Sequence, residues 1–256
     1  MSDSILLDIT GGLARITLNR PASLNAVDSA MAGRWREVAR QVVADPSVGA
    51  VLVDAAGTAF CAGGDVVHMA RSGEGGPAVA RLAEVINEGI GALVGSDRPV
   101  VAAVQGAVAG GGLGLMLTAD YIVASASARF VSKYADIGLT PDLGTSTLLS
   151  RAIGERRALQ LLLSDRALDA GTALDWGLVT EVVAPADVAA RAGQVARSWL
   201  DNATGAFGQA KRLVRAGASR PFAESLADEA ATIGRAFDTD DARARVAAFA
   251  AGSGRR

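Results

Sequence analysis

Phe60-Cys61-Ala62-Gly63-Gly64-Asp65 and Ala109-Gly110-Gly111-Gly112-Leu113-Gly114 are the two stretches of sequence that decide the fold. Each follows an apolar run rich in β-branched residues, at positions 48–55 and 100–104, so each is predicted to lie where a buried strand ends and a helix begins. The first backbone amides of a helix have no partner inside it, and glycine lets a ligand approach them closely. Two such places could hold one oxygen atom between them, as an oxyanion hole does.

The segments around these stretches predict an α/β chain. Residues 5–9 and 13–18 flank Thr10-Gly11-Gly12, which is a hairpin signal. Asp28 is placed to cap a helix that runs to Ala44, and a second helix is expected over residues 77–94. Strands that alternate with helices imply right-handed crossovers and a mostly parallel sheet that is buried on both faces.

From about residue 185 onward the pattern is helical, with breaks near Asn202, residues 217–221 and residues 238–241. The strands therefore concentrate early in the chain and the helices late. We expect a core that spans residues 1–200 and a helical region that spans residues 201–256.

Composition limits the classes of function. The chain has 256 residues, half of them hydrophobic, with one cysteine and a net charge of −2. It can bury a large core, a single cysteine cannot form an internal disulfide, and the balanced charge gives no general attraction to nucleic acid or to an anionic membrane. The sequence carries neither a secretory signal pattern nor an unbroken apolar stretch of membrane-spanning length. We expect a cytoplasmic protein with no nucleic-acid or membrane partner.

Several motifs occur in an order that resembles the crotonase (enoyl-CoA hydratase/isomerase) superfamily. They are Leu18-Asn19-Arg20-Pro21 with Asn25-Ala26, the two glycine stretches, residues 99–104, Ile137-Gly138-Leu139, residues 151–154 and Asp175-Trp176-Gly177-Leu178-Val179. The resemblance covers about residues 5–250. It implies an α/β crotonase fold, which is a spiral of ββα units with a helical C-terminal region that packs trimers, often paired into hexamers.

The resemblance also implies the site. The amides of Gly64 and Gly111 would form an oxyanion hole around the thioester of an acyl-CoA substrate. The backbone near Ala62 and the loop at Ser23 and Leu24 would meet the adenine, and Asp65 and Val66 would follow along the bound thioester. Coenzyme A would be part of the substrate, with no permanently bound cofactor and no metal. The alternative is that the glycines only allow tight strand–helix packing.

Two positions depart from the hydratases of this family, which use a pair of glutamates. Gly114 stands where the first glutamate would be, and Tyr134 stands where the second would be. Asp142 lies at the position used by family members that move double bonds. A single carboxylate suits isomerisation, because it can take a proton from one carbon and return it two carbons away. The alternative is that Asp142 caps a helix over residues 143–153.

The sequence therefore predicts an enoyl-CoA isomerase with Asp142 as its base. A hydratase with atypical residues and a non-catalytic CoA-binding protein are the alternatives. A dehalogenase, in which Asp142 would be a nucleophile, is disfavoured because Asn87 replaces the histidine of those enzymes.

Other polar residues are assigned structural roles. Asp136 is read as a solvated neighbour of Lys133, His68 as a surface residue and Cys61 as a packing residue. The lysine that family members often place after a C-terminal Ala-Phe pair is missing here, so the phosphates of coenzyme A would need other cations. The candidates are Lys211, Arg212, Arg255 and Arg256.

Overall fold

A computed structural model of the chain describes residues 3–73 and 75–253. The strands are β1 (Ile5–Thr10), β2 (Leu13–Leu18), β3 (Ala50–Ala55), β4 (Val100–Val104), β5 (Ala107–Ala109), β6 (Tyr121–Ser125), β7 (Arg129–Val131), β8 (Leu168–Asp169) and β9 (Glu181–Val183). The helices are α1 (Ser29–Ala44), α2 (Val66–Ser72), α3 (Gly76–Gly95), α4 (Gly111–Met116), α5 (Thr145–Ile153), α6 (Glu155–Leu162), α7 (Ala170–Trp176), α8 (Val188–Leu200), α9 (Thr204–Gly217), α10 (Phe222–Phe237) and α11 (Asp240–Ser253).

The chain begins with the predicted hairpin and capped helix. Gly11 and Gly12 both take positive φ, at 58° and 82°, between the antiparallel strands β1 and β2. A two-residue turn of this kind favours glycine because an L side chain is strained there. The Asp28 carboxylate accepts a hydrogen bond from the Met31 amide and caps α1, as predicted.

The main sheet confirms the predicted parallel arrangement. Its strand order is β1-β2-β3-β4-β6-β9, and every neighbouring pair after β1–β2 is parallel. Successive side chains point to opposite faces of a strand. Val51 and Val53 of β3 therefore join the core that α1 and α3 cover, whereas Leu52 packs with Val188 and Val195 of α8 on the other face. Both faces are buried, which explains why β3 and β4 read as continuous apolar runs.

A smaller sheet, in the order β5-β7-β8, lies beyond the end of β4. Its strands β5 and β7 are parallel. Strand β5 ends at Ala109 and α4 begins at Gly111, so the second glycine stretch connects this sheet directly to α4. The crotonase fold expected from the sequence agrees with this architecture.

The C-terminal helices break where the sequence predicts. α9 packs against α3 and α8, while α10 packs on α9 and α11 packs on α10. A division of the chain at residue 200 stays a prediction. No helix formed by residues 3–73 and 75–253 combines the length and the apolar character that a membrane crossing requires.

The cap of α1 gives a prediction for stability. Asp28→Ala removes the side-chain acceptor and the ion pair with Arg20, which has an N–O distance of 2.9 Å, whereas Asp28→Asn keeps an acceptor oxygen and loses only the pair. We expect the alanine variant to lose about 0.5–2 kcal/mol of unfolding free energy and the asparagine variant to lose clearly less. Urea denaturation measures both, and equal losses would contradict the capping role.

Candidate active site

Three backbone segments pair side by side beyond the ends of β3 and β4. The Val27 amide donates to the Gly63 carbonyl at 2.8 Å, and the Asp65 amide donates to the Val27 carbonyl at 3.0 Å. On the other side, the Cys61 amide donates to the Ala107 carbonyl at 3.2 Å, and the Ala109 amide donates to the Cys61 carbonyl at 3.0 Å. This ladder brings the two glycine stretches together.

The amides of Gly64 and Gly111 are left over from this pairing. Among the described residues, neither donates a backbone hydrogen bond. The backbone amides of successive residues in a strand point to opposite sides. The Asp65 amide points to Val27, so the Gly64 amide faces away from Val27, toward the side on which β5 lies. Gly111 is buried and is the first residue of α4, where an amide has no partner inside the helix. The two amides that the sequence analysis selected therefore both remain able to donate.

The neighbouring glycines serve packing. A Cβ atom on Gly112 would lie 2.3 Å from the Cys61 carbonyl oxygen, and one on Gly63 would lie 2.9 Å from the Ala109 carbonyl oxygen. At Gly64 and Gly111 the nearest atoms are instead the ends of side chains, Met69 Cε at 2.9 Å and Leu143 Cδ1 at 2.8 Å. Tight packing thus explains Gly63 and Gly112 but leaves the ligand-facing prediction for Gly64 and Gly111 open.

A cleft of about 590 Å³ opens beside the first glycine stretch. Its lining includes the five residues predicted to bind substrate, Ser23, Leu24, Ala62, Asp65 and Val66, together with Gly64 of the predicted oxyanion hole. The Ala62 amide donates to the Leu24 carbonyl at 3.0 Å, which fixes the distance between the two walls. His68 and Arg71 complete one edge of the cleft, so the exposed His68 is a lining residue.

The wall that carries Ser23 and Leu24 is held by a buried asparagine and an arginine. The side-chain amide of Asn25 donates to the carbonyls of Ala56 and Ala59, each at 2.9 Å.

Arg20 pairs with Asp28 at 2.9 Å and with Asp65 at 3.1 Å. The Asp65 carboxylate also accepts from the His68 amide at the start of α2, and these bonds hold the pKa of Asp65 below its usual value. Asp65 is therefore a structural carboxylate at the cleft wall.

Asp142 lies against the second glycine stretch. A Cβ atom on Gly111 would be 3.4 Å from Asp142 Oδ1, so the carboxylate lies against the buried residue Gly111. Tyr134 donates its hydroxyl proton to Asp142 Oδ1 at 2.7 Å, and the same hydroxyl is 3.2 Å from Thr145 Oγ1. The carboxylate does not cap α5, because that helix begins at Thr145 with Gly144 at its cap and no side-chain cap bond. The capping interpretation of Asp142 is therefore wrong.

A close contact between Leu143 and α4 holds this carboxylate in place. Leu143 is buried and takes a left-handed backbone conformation, with φ at 51°. Its side chain packs over Gly111, and its carbonyl oxygen lies 2.3 Å from where a Cβ atom on Gly114 would be. Gly111 and Gly114 are one helical turn apart, so together they form the surface on which the segment 142–144 rests. The segment therefore occupies the space into which a side chain at position 114 would project.

The surroundings set the protonation of the nearby groups. Desolvation raises the pKa of Asp142 above the ordinary 3.8, and the hydrogen bond from Tyr134 partly opposes that rise. The residue as a whole is nevertheless exposed, so a ligand can reach it. Lys133 and Asp136 bond to each other at 2.5 Å on the surface, which agrees with their solvated role. Burial raises the pKa of the Cys61 thiol to about 12, so it is no nucleophile at neutral pH.

Two of the four cations considered for phosphate binding, Lys211 and Arg212, are engaged in other contacts. The buried ammonium of Lys211 bonds to the carbonyls of Leu93 and Arg98 and pairs with Asp120. It lines a separate cavity of about 700 Å³ among β6, α5 and α9, and Asp142 is not part of the lining of that cavity. Arg212 pairs with Asp228 at 2.8 Å. Arg255 and Arg256 lie outside the described residues.

Within the described ranges, no three His, Cys, Asp or Glu side chains gather as a metal site would require.

Comparisons with known proteins identify relatives along almost the whole chain. The family model for enoyl-CoA hydratase/isomerase matches residues 8–252. A protein of Mycobacterium leprae, named as a probable enoyl-CoA hydratase, is 34% identical over 96% of this chain and 95% of its own length. The 1,2-epoxyphenylacetyl-CoA isomerase of Escherichia coli is 33% identical over 84% of this chain and 82% of its own length. The crystal structure of an enoyl-CoA hydratase of Mycobacterium smegmatis superposes with a TM-score of 0.92 at 28% identity, covering 98% and 97% of the two chains.

The contact between Gly114 and Leu143 predicts a sensitive position. Gly114→Ala places a methyl group 2.3 Å from a backbone oxygen, so the segment 142–144 must shift. We expect a loss of about 1–3 kcal/mol in unfolding free energy, measured by urea denaturation. Gly91→Ala is the matched control, because Gly91 is also helical but has open space around it. That variant should gain about 0.5–1 kcal/mol, and equal behaviour of the two alanines would contradict the close contact.

Proposed function

The chain belongs to the enoyl-CoA hydratase/isomerase family, and from that premise we propose that it is an enoyl-CoA isomerase with Asp142 as its single base. The observation that carries the proposal is the Asp142 carboxylate beside Gly111, on a segment that fills the space of a side chain at position 114. The substrate is an acyl-CoA thioester, bound along the cleft between Ser23, Leu24 and Ala62 and passing Asp65 and Val66.

In the proposed reaction, the amides of Gly64 and Gly111 bind the thioester oxygen of a 3-enoyl-CoA. Asp142 removes a proton from C2, and the electron pair of that C–H bond moves into a dienolate whose oxygen carries the charge. Donors aimed at a developing oxyanion lower the barrier, and the loss of one such donor typically costs about 10²–10³ in rate. Protonated Asp142 then returns the proton to C4, and the double bond ends between C2 and C3. The base is restored, and no water is consumed.

The choice of isomerase over hydratase rests on two positions. Hydration needs one group to activate water and another to protonate the α-carbon. At position 114 the Leu143 carbonyl leaves no room for a side chain, and at position 134 a tyrosine hydroxyl takes the place of a carboxylate. The names of the relatives include both hydratases and isomerases, so membership of the family supports either reaction.

The proposed assembly is a homotrimer or a pair of trimers. α10 carries exposed apolar side chains along its length, with Phe222 at 77% and Ile233 at 72% of full exposure. Exposed apolar side chains grouped on one helix favour burial against another protein surface. We take a second copy of the chain as its partner, in line with the helical region expected from residue 201 onward.

Replacement of the base gives the main test. Asp142→Asn should lower the rate of double-bond migration in 3-enoyl-CoA by about 10²–10⁴-fold, since it removes general-base catalysis. Asp136→Asn is the matched control, because Asp136 precedes Asp142 by six residues but pairs with Lys133 at the surface. The conversion is followed by the absorbance of the conjugated product. Full activity of the Asp142→Asn variant would refute the assignment.

The same assay distinguishes the alternatives. Addition of water to crotonyl-CoA without migration activity would favour an atypical hydratase. Binding of CoA thioesters without any turnover would favour a non-catalytic family member.

The raised pKa of Asp142 predicts how activity depends on pH. The base must be ionised to accept a proton, so kcat/KM should rise with pH through the pKa of Asp142 in the free enzyme. Desolvation places that midpoint above the ordinary 3.8 of an aspartate. A profile of kcat/KM against pH measures the midpoint, and activity that persists unchanged down to the ordinary value would contradict the desolvated base.

A further inference from the structure

Tyr134 is the side chain that most directly constrains the proposed base. Its hydroxyl lies 2.7 Å from Asp142 Oδ1 and 3.2 Å from Thr145 Oγ1. An ionised carboxylate can only accept hydrogen bonds, so Tyr134 is the donor to Asp142. Its one proton is then used, and Thr145 must donate to the Tyr134 oxygen. The three groups form a directed chain from Thr145 through Tyr134 to Asp142.

Both hydroxyl groups are held by backbone that is itself fixed. Tyr134 is 7% exposed, and its carbonyl accepts from the Leu139 amide at 3.0 Å, which closes the turn after it. Thr145 is fully buried, and its amide donates to the Asp142 carbonyl at 2.8 Å. The hydrogen bonds from Thr145 to Tyr134 and from Tyr134 to Asp142 therefore connect these two turns to the carboxylate. Rotation of the Asp142 side chain would break its bond to Tyr134.

Few other charges act on this carboxylate. The helix α4, against which the segment packs, has the sequence Gly-Gly-Leu-Gly-Leu-Met and carries no titratable side chain. On the tyrosine's own segment, Lys133 and Asp136 are exposed and bond to each other. In α5 the charged residue is Arg151, which lies in the last turn of the helix, nine residues after Asp142. Within the described part of the chain, Tyr134 is the titratable group in hydrogen-bond contact with Asp142.

We propose that Tyr134 is the positioning residue of this site, with its hydroxyl fixing Asp142 through Oδ1 so that Oδ2 carries the proton between the two carbons. The proposal rests on the proposed isomerase function. When Oδ2 takes a proton, Oδ1 remains an acceptor, so the bond to Tyr134 persists through the cycle. One oxygen of a fixed carboxylate then accepts the proton and returns it, and Tyr134 itself never ionises.

The protonation of the tyrosine agrees with a permanent donor. Burial and the charge of Asp142 both raise the pKa of Tyr134 far above its ordinary 10. The hydrogen bond in turn favours the ionised form of Asp142 and opposes desolvation. Thr145 adds to this effect at one remove, because hydrogen bonds in a chain polarise one another.

The test measures the titration of Asp142 directly, without substrate. Protein labelled with ¹³C at the aspartate carboxyl carbons is titrated by NMR, and Asp142→Asn identifies the resonance. Tyr134→Phe keeps the ring and removes the donor, so the Asp142 midpoint should move to higher pH. Thr145→Val should move it in the same direction by less, and it keeps the test open if the phenylalanine variant fails to fold. Asp136→Asn should leave the midpoint unchanged.

Kinetics provide the second readout. On the acid limb of the pH profile, Tyr134→Phe should lower kcat/KM for 3-enoyl-CoA about 10–100-fold, the size expected for a hydrogen bond to a charged group. A merely structural tyrosine would lower activity equally at all pH values. An unmoved Asp142 midpoint in a folded Tyr134→Phe variant would overturn the proposal. A midpoint that moves in a protein without isomerase activity would instead refute the proposed function and leave the positioning role intact.

Discussion

The parallel backbone pairing of residues 61–65 between the loop at Val27 and strand β5 is the interaction on which the rest of the site depends. Each hydrogen bond in it contributes only about 1 kcal/mol, but together they fix the relative positions of segments far apart in the sequence. The pairing uses the amides of Cys61, Asp65 and Ala109 and leaves those of Gly64 and Gly111 without a backbone acceptor in the described part of the chain. An amide without a backbone acceptor must bond to water or to a ligand instead, and the proposed substrate oxygen would supply that acceptor.

The glycines of the two stretches serve different purposes, although the sequence presents them alike. Gly112 and Gly114 leave no room for a Cβ atom because a backbone oxygen lies 2.3 Å from that position. Gly111 precedes both, and the atoms nearest to a Cβ there belong to the Leu143 side chain and the Asp142 carboxylate. Packing glycines thus bring the segment that carries Asp142 close to the start of α4, where Gly111 is the first helical residue.

Most of the fold could be predicted from the sequence, because it depends on local signals. The hairpin at Gly11, the cap at Asp28 and the buried strand at Val100–Val104 each follow from a few adjacent residues. The contact between Asp142 and Tyr134 could not be predicted in this way. Seven residues separate the two, left-handed Gly138 lies among them and left-handed Leu143 follows Asp142, and no periodic pattern encodes such a path. The sequence signal for this contact is Tyr134 at the position of the second hydratase glutamate. That signal indicates a missing hydratase carboxylate and does not indicate a hydrogen bond to Asp142.

The packing of Leu143 onto Gly114 has a consequence for how this site could change over evolutionary time. A single substitution that introduces a carboxylate at position 114 meets a backbone oxygen, so the protein must first withdraw the segment that carries Asp142. Withdrawal would remove the proposed base before a new one could act. Under the proposed function, exchange between one-carboxylate and two-carboxylate chemistry therefore requires at least two coordinated changes with an inactive intermediate between them. A fitness valley would then separate the two kinds of active site.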